Sequence, residues 1–176
     1  MANTYILIEA KTLSSAVSTV TFSSIPQTYT DLRLVLSLRS STKEGLDEYS
    51  NNRVKPNADA NLSYNNYILG QYNSGVVYGV YSNQNIGILF NYANGNLTTA
   101  NTFSNSEIHF PNYTSSNYKS FIIHNAMENN SSKGLINIAG GIWNNSAPIT
   151  SLTITEGNSG NYVINSSFYL YGIKNS

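Results

Sequence analysis

Glu107 and His109 stand two residues apart in Ser104-Asn-Ser-Glu-Ile-His-Phe-Pro111, a spacing that sets a carboxylate and an imidazole on one face of a strand. A base beside an orienting acid is the beginning of general acid–base or nucleophilic chemistry. The other histidine, His124, follows Ile122 and Ile123 in a second apolar run. Nothing in the sequence completes either one into a catalytic set. There is no Gly-x-Ser-x-Gly elbow, no phosphate-cradling glycine loop and no His-x-x-x-His pair. Cysteine is absent, which removes a thiolate nucleophile, a thiolate metal site and a disulfide frame. Outside one segment the nine carboxylates are scattered singly, so the paired-carboxylate chemistry of glycosidases has no anchor. Both histidines therefore read as partly buried, hydrogen-bonded sheet residues, and the chain as a non-enzyme without a cofactor.

Two further residue sets have the chemistry of recognition. Lys43, Glu44, Asp47, Glu48, Arg53, Lys55 and Asp59 put seven of the eighteen charged residues into one short segment, which reads as an exposed loop over about residues 41–61. Clustered charges of both signs fix the register of a partner, so these seven are the candidate partner contacts. Within the loop, Asn57-Ala-Asp59-Ala-Asn61 spaces three oxygen ligands as a calcium loop begins, but the glycine and distal bidentate glutamate such a loop needs are missing. No metal is expected there. Tyr64, Tyr67, Tyr72, Tyr78 and Tyr81, interleaved with asparagine, are candidate glycan contacts, because tyrosine offers an apolar face and a polar tip. Cross-strand pairing on a half-buried sheet accounts for the same residues without a ligand.

The elements that must position these residues are strands. In Thr28-Tyr-Thr-Asp-Leu-Arg-Leu-Val-Leu-Ser-Leu-Arg39, Leu32, Leu34, Leu36 and Leu38 recur at every second position, the signature of a strand with one buried face. Tyr5–Ile8 and Val17–Phe22 read as two strands of a hairpin turning at Thr12 to Ser15, and Pro26 breaks the pattern before the leucine run. Further β-rich runs follow at Leu62–Leu69, Val76–Tyr81, Ile86–Tyr92, Ser104–Pro111, Tyr118–Met127, Leu135–Trp143, Ile149–Thr155 and Tyr162–Ile173, separated by Asn, Ser and Gly. Gly134, Gly140 and Gly141 point to bulges or close backbone approach. About ten short strands without a helical period indicate an all-β, antiparallel sandwich of jelly-roll type, in one domain spanning 1–176.

Composition narrows the partners. Nine basic and nine acidic residues balance to zero without a basic block, so the electrostatic footprint of nucleic-acid binding is missing. Asn, Ser and Thr exceed a third of the chain, giving a polar but nearly uncharged surface, while the aromatics and periodic aliphatics argue against disorder. No apolar stretch approaches the roughly 20 residues of a membrane span, and the apolar start is interrupted by Glu9. The expectation is a soluble product of the cytoplasm without a signal peptide, and no membrane partner.

Three stretches carry a resemblance: Phe22-Ser-Ser-Ile-Pro-Gln-Thr-Tyr-Thr-Asp-Leu-Arg-Leu34, Pro111-Asn-Tyr-Thr-Ser-Ser-Asn-Tyr-Lys-Ser120 and Ser167-Phe-Tyr-Leu-Tyr-Gly-Ile-Lys-Asn-Ser176. With the opening Met-Ala-Asn-Thr-Tyr5, the chain resembles a family of small virion proteins of tailed bacteriophages. The similarity covers nearly the whole length apart from residues 43–61 and the tyrosine-rich middle. None of the shared motifs is catalytic. The resemblance implies a β-sandwich on the particle surface, either a capsid decoration protein bound to the major capsid protein or a tail-fibre, receptor-binding protein recognising host glycans. Other virion proteins are the implied partners, and self-association is expected, a trimer being the order that matches capsid or fibre axes.

Overall fold

Leu32, Leu34, Leu36 and Leu38 line the inner face of strand β3 (Asp31–Leu38) and are at most 1% exposed, as their alternation requires. The computed structural model describes residues 4–42, 49–50, 52–61, 63–72, 76–84, 87–90, 93–128 and 134–174. It is an all-β sandwich of antiparallel sheets. The larger sheet has eight strands in the order β1 (Tyr5–Thr12), β14 (Ser167–Ile173), β3, β10 (Ser104–Phe110), β11 (Lys119–Glu128), β12 (Gly134–Trp143), β6 (Tyr64–Tyr72) and β7 (Val76–Gln84). The smaller has four: β2 (Thr19–Phe22), β13 (Leu152–Glu156), β5 (Asn52–Pro56) and β8 (Ile88–Leu89). A two-residue pair, β4 (Tyr49–Ser50) with β9 (Ala93–Asn94), lies apart. Phe22, Val54, Ile88, Leu152 and Ile154 of the small sheet meet the leucines, with Ile108, Phe110, Phe168 and Leu170, in one core.

The topology explains the architecture. Set the two inserted hairpins β6–β7 and β11–β12 and the small β4–β9 pair aside, and eight strands remain in chain order: β1, β2, β3, β5, β8, β10, β13, β14. The first, eighth, third and sixth are neighbours in one sheet, and the second, seventh, fourth and fifth in the other. That is the order of a jelly roll, two Greek keys wound together. The inserted hairpins then continue the first sheet beyond β10, widening it from four strands to eight.

Two sequence expectations need correction. Strands β1 and β2 do not form a hairpin: β1 pairs with β14 and β2 with β13, so the chain crosses between sheets at Leu13 to Ser18. Alternation reports which face of a strand is buried and says nothing of its partner. The segment 41–61 is not one exposed loop either. Residues 52–56 form β5 between β13 and β8, with Asn52, Val54 and Pro56 inward and Arg53 and Lys55 outward. A lone valine among polar residues gave that strand no hydrophobic alternation to read.

Arg39, just beyond β3, is held by threonines rather than by a carboxylate. Its Nη1 donates to Thr98 Oγ1 at 2.8 Å, Thr99 O at 2.7 Å and Thr102 O at 3.1 Å, while Nη2 donates to Thr98 O at 3.0 Å. Burial lowers its pKa, since nothing anionic offsets the desolvation. The guanidinium fork thereby ties residues 98–102 to the end of the leucine strand. Arg39→Met is expected to cost about 2 kcal/mol in urea unfolding. Arg39→Lys should recover less than half of it, because an ammonium cannot reach acceptors on both arms of the fork. Hydrogen exchange at Thr98 to Thr102 should accelerate in both variants.

Candidate interaction face

Antiparallel register places directly opposed residues on the same side of a sheet, so the outward face of the large sheet can be read in rows. One row runs Val35, Glu107, His124, Ile138, Leu69 across β3, β10, β11, β12 and β6. The next runs Arg33, His109, Ile122, Gly140, Tyr67, and on the other side lie Asn105, Ala126 and Ile136. Ile136 is 63% exposed, Tyr67 61%, Leu69 58%, Ile138 51%, Ile142 43% and Ile122 42%. A groove of about 550 Å³ crosses this face, floored by Val35, Ala126, Ile136 and Ile138 and flanked by Asn105, Glu107 and His124.

The inserted hairpins invert the usual pattern. On β12, Asn137 is buried at 2% exposure while Ile136 and Ile138 on either side face outward. Asn125, opposite Asn137, is inward too and donates to Ser106 Oγ at 2.6 Å, so a polar row lies behind the apolar face, although neither side-chain polar atom of Asn137 itself has a hydrogen-bond partner among the described residues. Phe121, Ile123, Leu135, Ala139 and Trp143 hold the parity, since a one-residue slip would turn all of them outward.

Glu107, Arg33 and His109 on this face are tied down within the chain. Glu107 pairs with Arg33, and Arg33 Nη1 also donates to Tyr5 Oη at 2.8 Å with its guanidinium 5.5 Å from the ring centroid. His109 Nε2 lies 3.4 Å from Asp31 Oδ2, whose other oxygen accepts from the Asn112 backbone N–H at 2.9 Å. Glu107 and His109 thus share a face, as their spacing implied, but each has a different partner and Glu107 does not orient His109. His124 is exposed beside the groove rather than partly buried. The chain has no match among protein-family models, curated proteins or solved structures.

Of the candidate partner contacts, Lys43, Glu44, Asp47 and Glu48 lie outside the described residues. Arg53 and Lys55 face outward from β5, beside Thr153 and Thr155, which in turn oppose Thr21 and Thr19. The small sheet's outer face is therefore hydroxyl-rich and cationic, the opposite in character of the large sheet's. Asp59 is not available to a partner: it is 9% exposed and its carboxylate accepts from Asn61 N at 3.0 Å, Asn61 Nδ2 at 2.8 Å, Trp143 Nε1 at 2.9 Å and Asn145 Nδ2 at 3.1 Å. Burial alone would raise its pKa, but these donors together outweigh that and lower it to about 2. Of the alternating Asn57-Ala-Asp59-Ala-Asn61 set, Asn61 donates to Asp59, while Asn57 Oδ1 accepts from the Thr150 and Ser151 backbone N–H groups at 2.8 and 3.2 Å.

Of the candidate glycan contacts, Tyr64 is fully buried and donates to Asp59 O at 2.8 Å, so it cannot meet a sugar. Burial and the Asp59 charge raise its pKa. Tyr67 is exposed in the interaction face. Tyr72 ends β6, and Tyr78 and Tyr81 run along β7; their side chains lie outside the described residues. The residues that composition and motif did not single out are Ile122, Ile136, Ile138, Ile142 and Leu69. Their signal is present as adjacent apolar pairs, Ile122-Ile123, Leu135-Ile136, Ile138-Ala139, Ile142-Trp143 and Ile68-Leu69, with one member on each face. Such doublets mark strands covered on both sides.

Proposed function

We propose that this chain is a structural protein of a tailed-bacteriophage particle, a decoration protein that binds the major capsid shell and performs no reaction. The observation that carries the reading is the apolar outward face of a jelly-roll sheet doubled in width by two inserted hairpins. Large contiguous apolar surface on a soluble protein marks a site of protein contact. Jelly rolls recur in viral capsid and lectin domains, which raises the prior by analogy only. The family resemblance of the three shared stretches points the same way.

The test is the protein's count and position on purified particles. A high, symmetry-matched copy number on the shell, with density over capsid subunits in a particle map, is the expected result. A few copies at the tail would instead favour a receptor-binding protein that contacts host glycans. Of the candidate tyrosines whose side chains are described, Tyr64 and Tyr67, it is Tyr67 whose exposure supports that alternative, and loss of glycan-array binding in Tyr67→Ala would promote it. Absence from intact particles removes both.

A further inference from the structure

We propose that the outward face of the large sheet is a twofold interface with a second copy of this chain, so that the working unit is a face-to-face dimer. This rests on reading the chain as an assembly protein and names what covers its apolar face first. Three observations select a second copy over an unrelated partner.

The first is shape. The groove over Val35, Ala126, Ile136 and Ile138 lies beside projecting side chains, Leu69, Tyr67 and Ile142, on the same face. Under a twofold rotation the ridge of one copy enters the groove of the other, and the reverse contact forms at the same time. Between ridge and groove sits Gly140, whose missing side chain leaves a dip opposite Ile122 and Tyr67. A Cβ there would meet Phe121 O at 3.4 Å and nothing closer, so the strand itself does not demand glycine. Room for a facing side chain accounts for it.

The second is charge. The face carries Arg33 and Glu107, which pair within the chain, and His109, which lies against Asp31; His124 stands beside the groove. With Arg33 and Glu107 already paired, two identical copies meet without repulsion between those charges, and the pair leaves little net charge for a partner of opposite sign to match. The third is area. The six exposed large apolar side chains named above, among the described residues, present on the order of 600 Å² together, which is at the upper limit of patches on typical monomers. With the flanking polar residues the face approaches the ~800 Å² that each side of a stable pair contributes. Two apolar sheet faces pack about 10 Å apart with their strands aligned or crossed, the arrangement already used between the sheets of one sandwich. The pair leaves the threonine, Arg53 and Lys55 faces outward on both sides.

Sedimentation of the purified full chain at micromolar concentration is expected to give twice the chain mass. Ile138→Glu should weaken the pair by about 100-fold, since a carboxylate would be desolvated at the centre of the contact. Its circular dichroism should stay close to the parent's, because Ile138 is half exposed, while its urea midpoint should lose the concentration dependence that dimerisation gives the parent. Thr153→Glu, on the opposite sheet, should remain a dimer. The chain has no cysteine, so Ile138→Cys gives a single thiol that a short bis-maleimide should join into a covalent dimer, while Thr153→Cys should not. A wild-type monomer at about 100 μM, a trimer, or a dimer that survives Ile138→Glu overturns the inference. A monomer that nonetheless decorates particles defeats the dimer and leaves the proposed function standing; a dimer missing from particles does the reverse.

Discussion

Asp59→Asn is expected to destabilise the protein by about 3 kcal/mol, read as a lowered urea midpoint at unchanged slope. The carboxylate receives four N–H donors from two distant stretches of chain: Asn61, two positions on, and Trp143 and Asn145, more than eighty positions away. An asparagine keeps one acceptor oxygen and turns an N–H pair toward donors, so at least one donor is left facing another in a buried site. Trp143 is the single tryptophan and is fully buried, with the Lys119 ammonium 5.9 Å from its ring centroid. Its emission therefore reports the very site being altered, and a cost below 1 kcal/mol would show that the network does not hold the segment after β5. Tyr64→Phe, which removes only the hydroxyl donated to Asp59 O, should cost about 1 kcal/mol.

The same carboxylate sets an acid limit. Its pKa in the folded protein, about 2, lies below the ordinary 3.8, so the unfolded chain binds its proton first as pH falls. The stabilisation is complete above pH 4 and is lost as pH drops through 3.8 toward 2, by about 2 kcal/mol for this one group. In Asp59→Asn the curve of stability against pH should be flatter by that amount over the same window, and unchanged in shape between pH 5 and 8. A curve parallel to the parent's below pH 4 would mean that another carboxyl carries the acid sensitivity.

What could be read in advance follows from what periodicity encodes. The four leucines of β3 sort cleanly to one face because the strand's other face is wet, so parity alone places them. Parity fails on β12, where Leu135-Ile-Asn-Ile-Ala139 alternates the wrong way: hydrophobicity would bury Ile136 and Ile138, yet Asn137 is the inward residue. What decides it is the shared inward parity of Phe121, Ile123, Leu135, Ala139 and Trp143, set by pairing between strands that no local pattern contains. Long-range pairing also hid the role of Asp59, since Trp143 and Asn145 reach it from more than eighty positions away. β5 was obscured for a different reason, because Asn52 and Pro56 occupy inward positions that a pattern search reserves for aliphatics. The jelly-roll winding is recoverable only once pairing is known, for it resides in which strands are neighbours.

Gly141→Ala is expected to be the most damaging single methyl in the protein, costing on the order of 4 kcal/mol or preventing soluble expression. A Cβ at Gly141 would lie 1.8 Å from the backbone oxygen of Asn65 and 2.6 Å from Phe121 Cζ. Asn65 belongs to β6, which pairs with β12 on one side and β7 on the other, so relieving the contact means parting the hairpin from the sheet. Gly140→Ala, one residue away with its nearest neighbour at 3.4 Å, should change stability by less than 1 kcal/mol. The pair of variants separates close approach from a general need for glycine in this strand. Adding Phe121→Ala to Gly141→Ala distinguishes the two obstructions: rescue would assign the clash to the ring, whereas the distances assign it to the carbonyl, which no side-chain change moves. Because β6 and β12 carry Tyr67, Leu69, Ile136, Ile138 and Ile142, any Gly141→Ala protein that does fold should also lose the outward apolar face proposed to pair with a second copy.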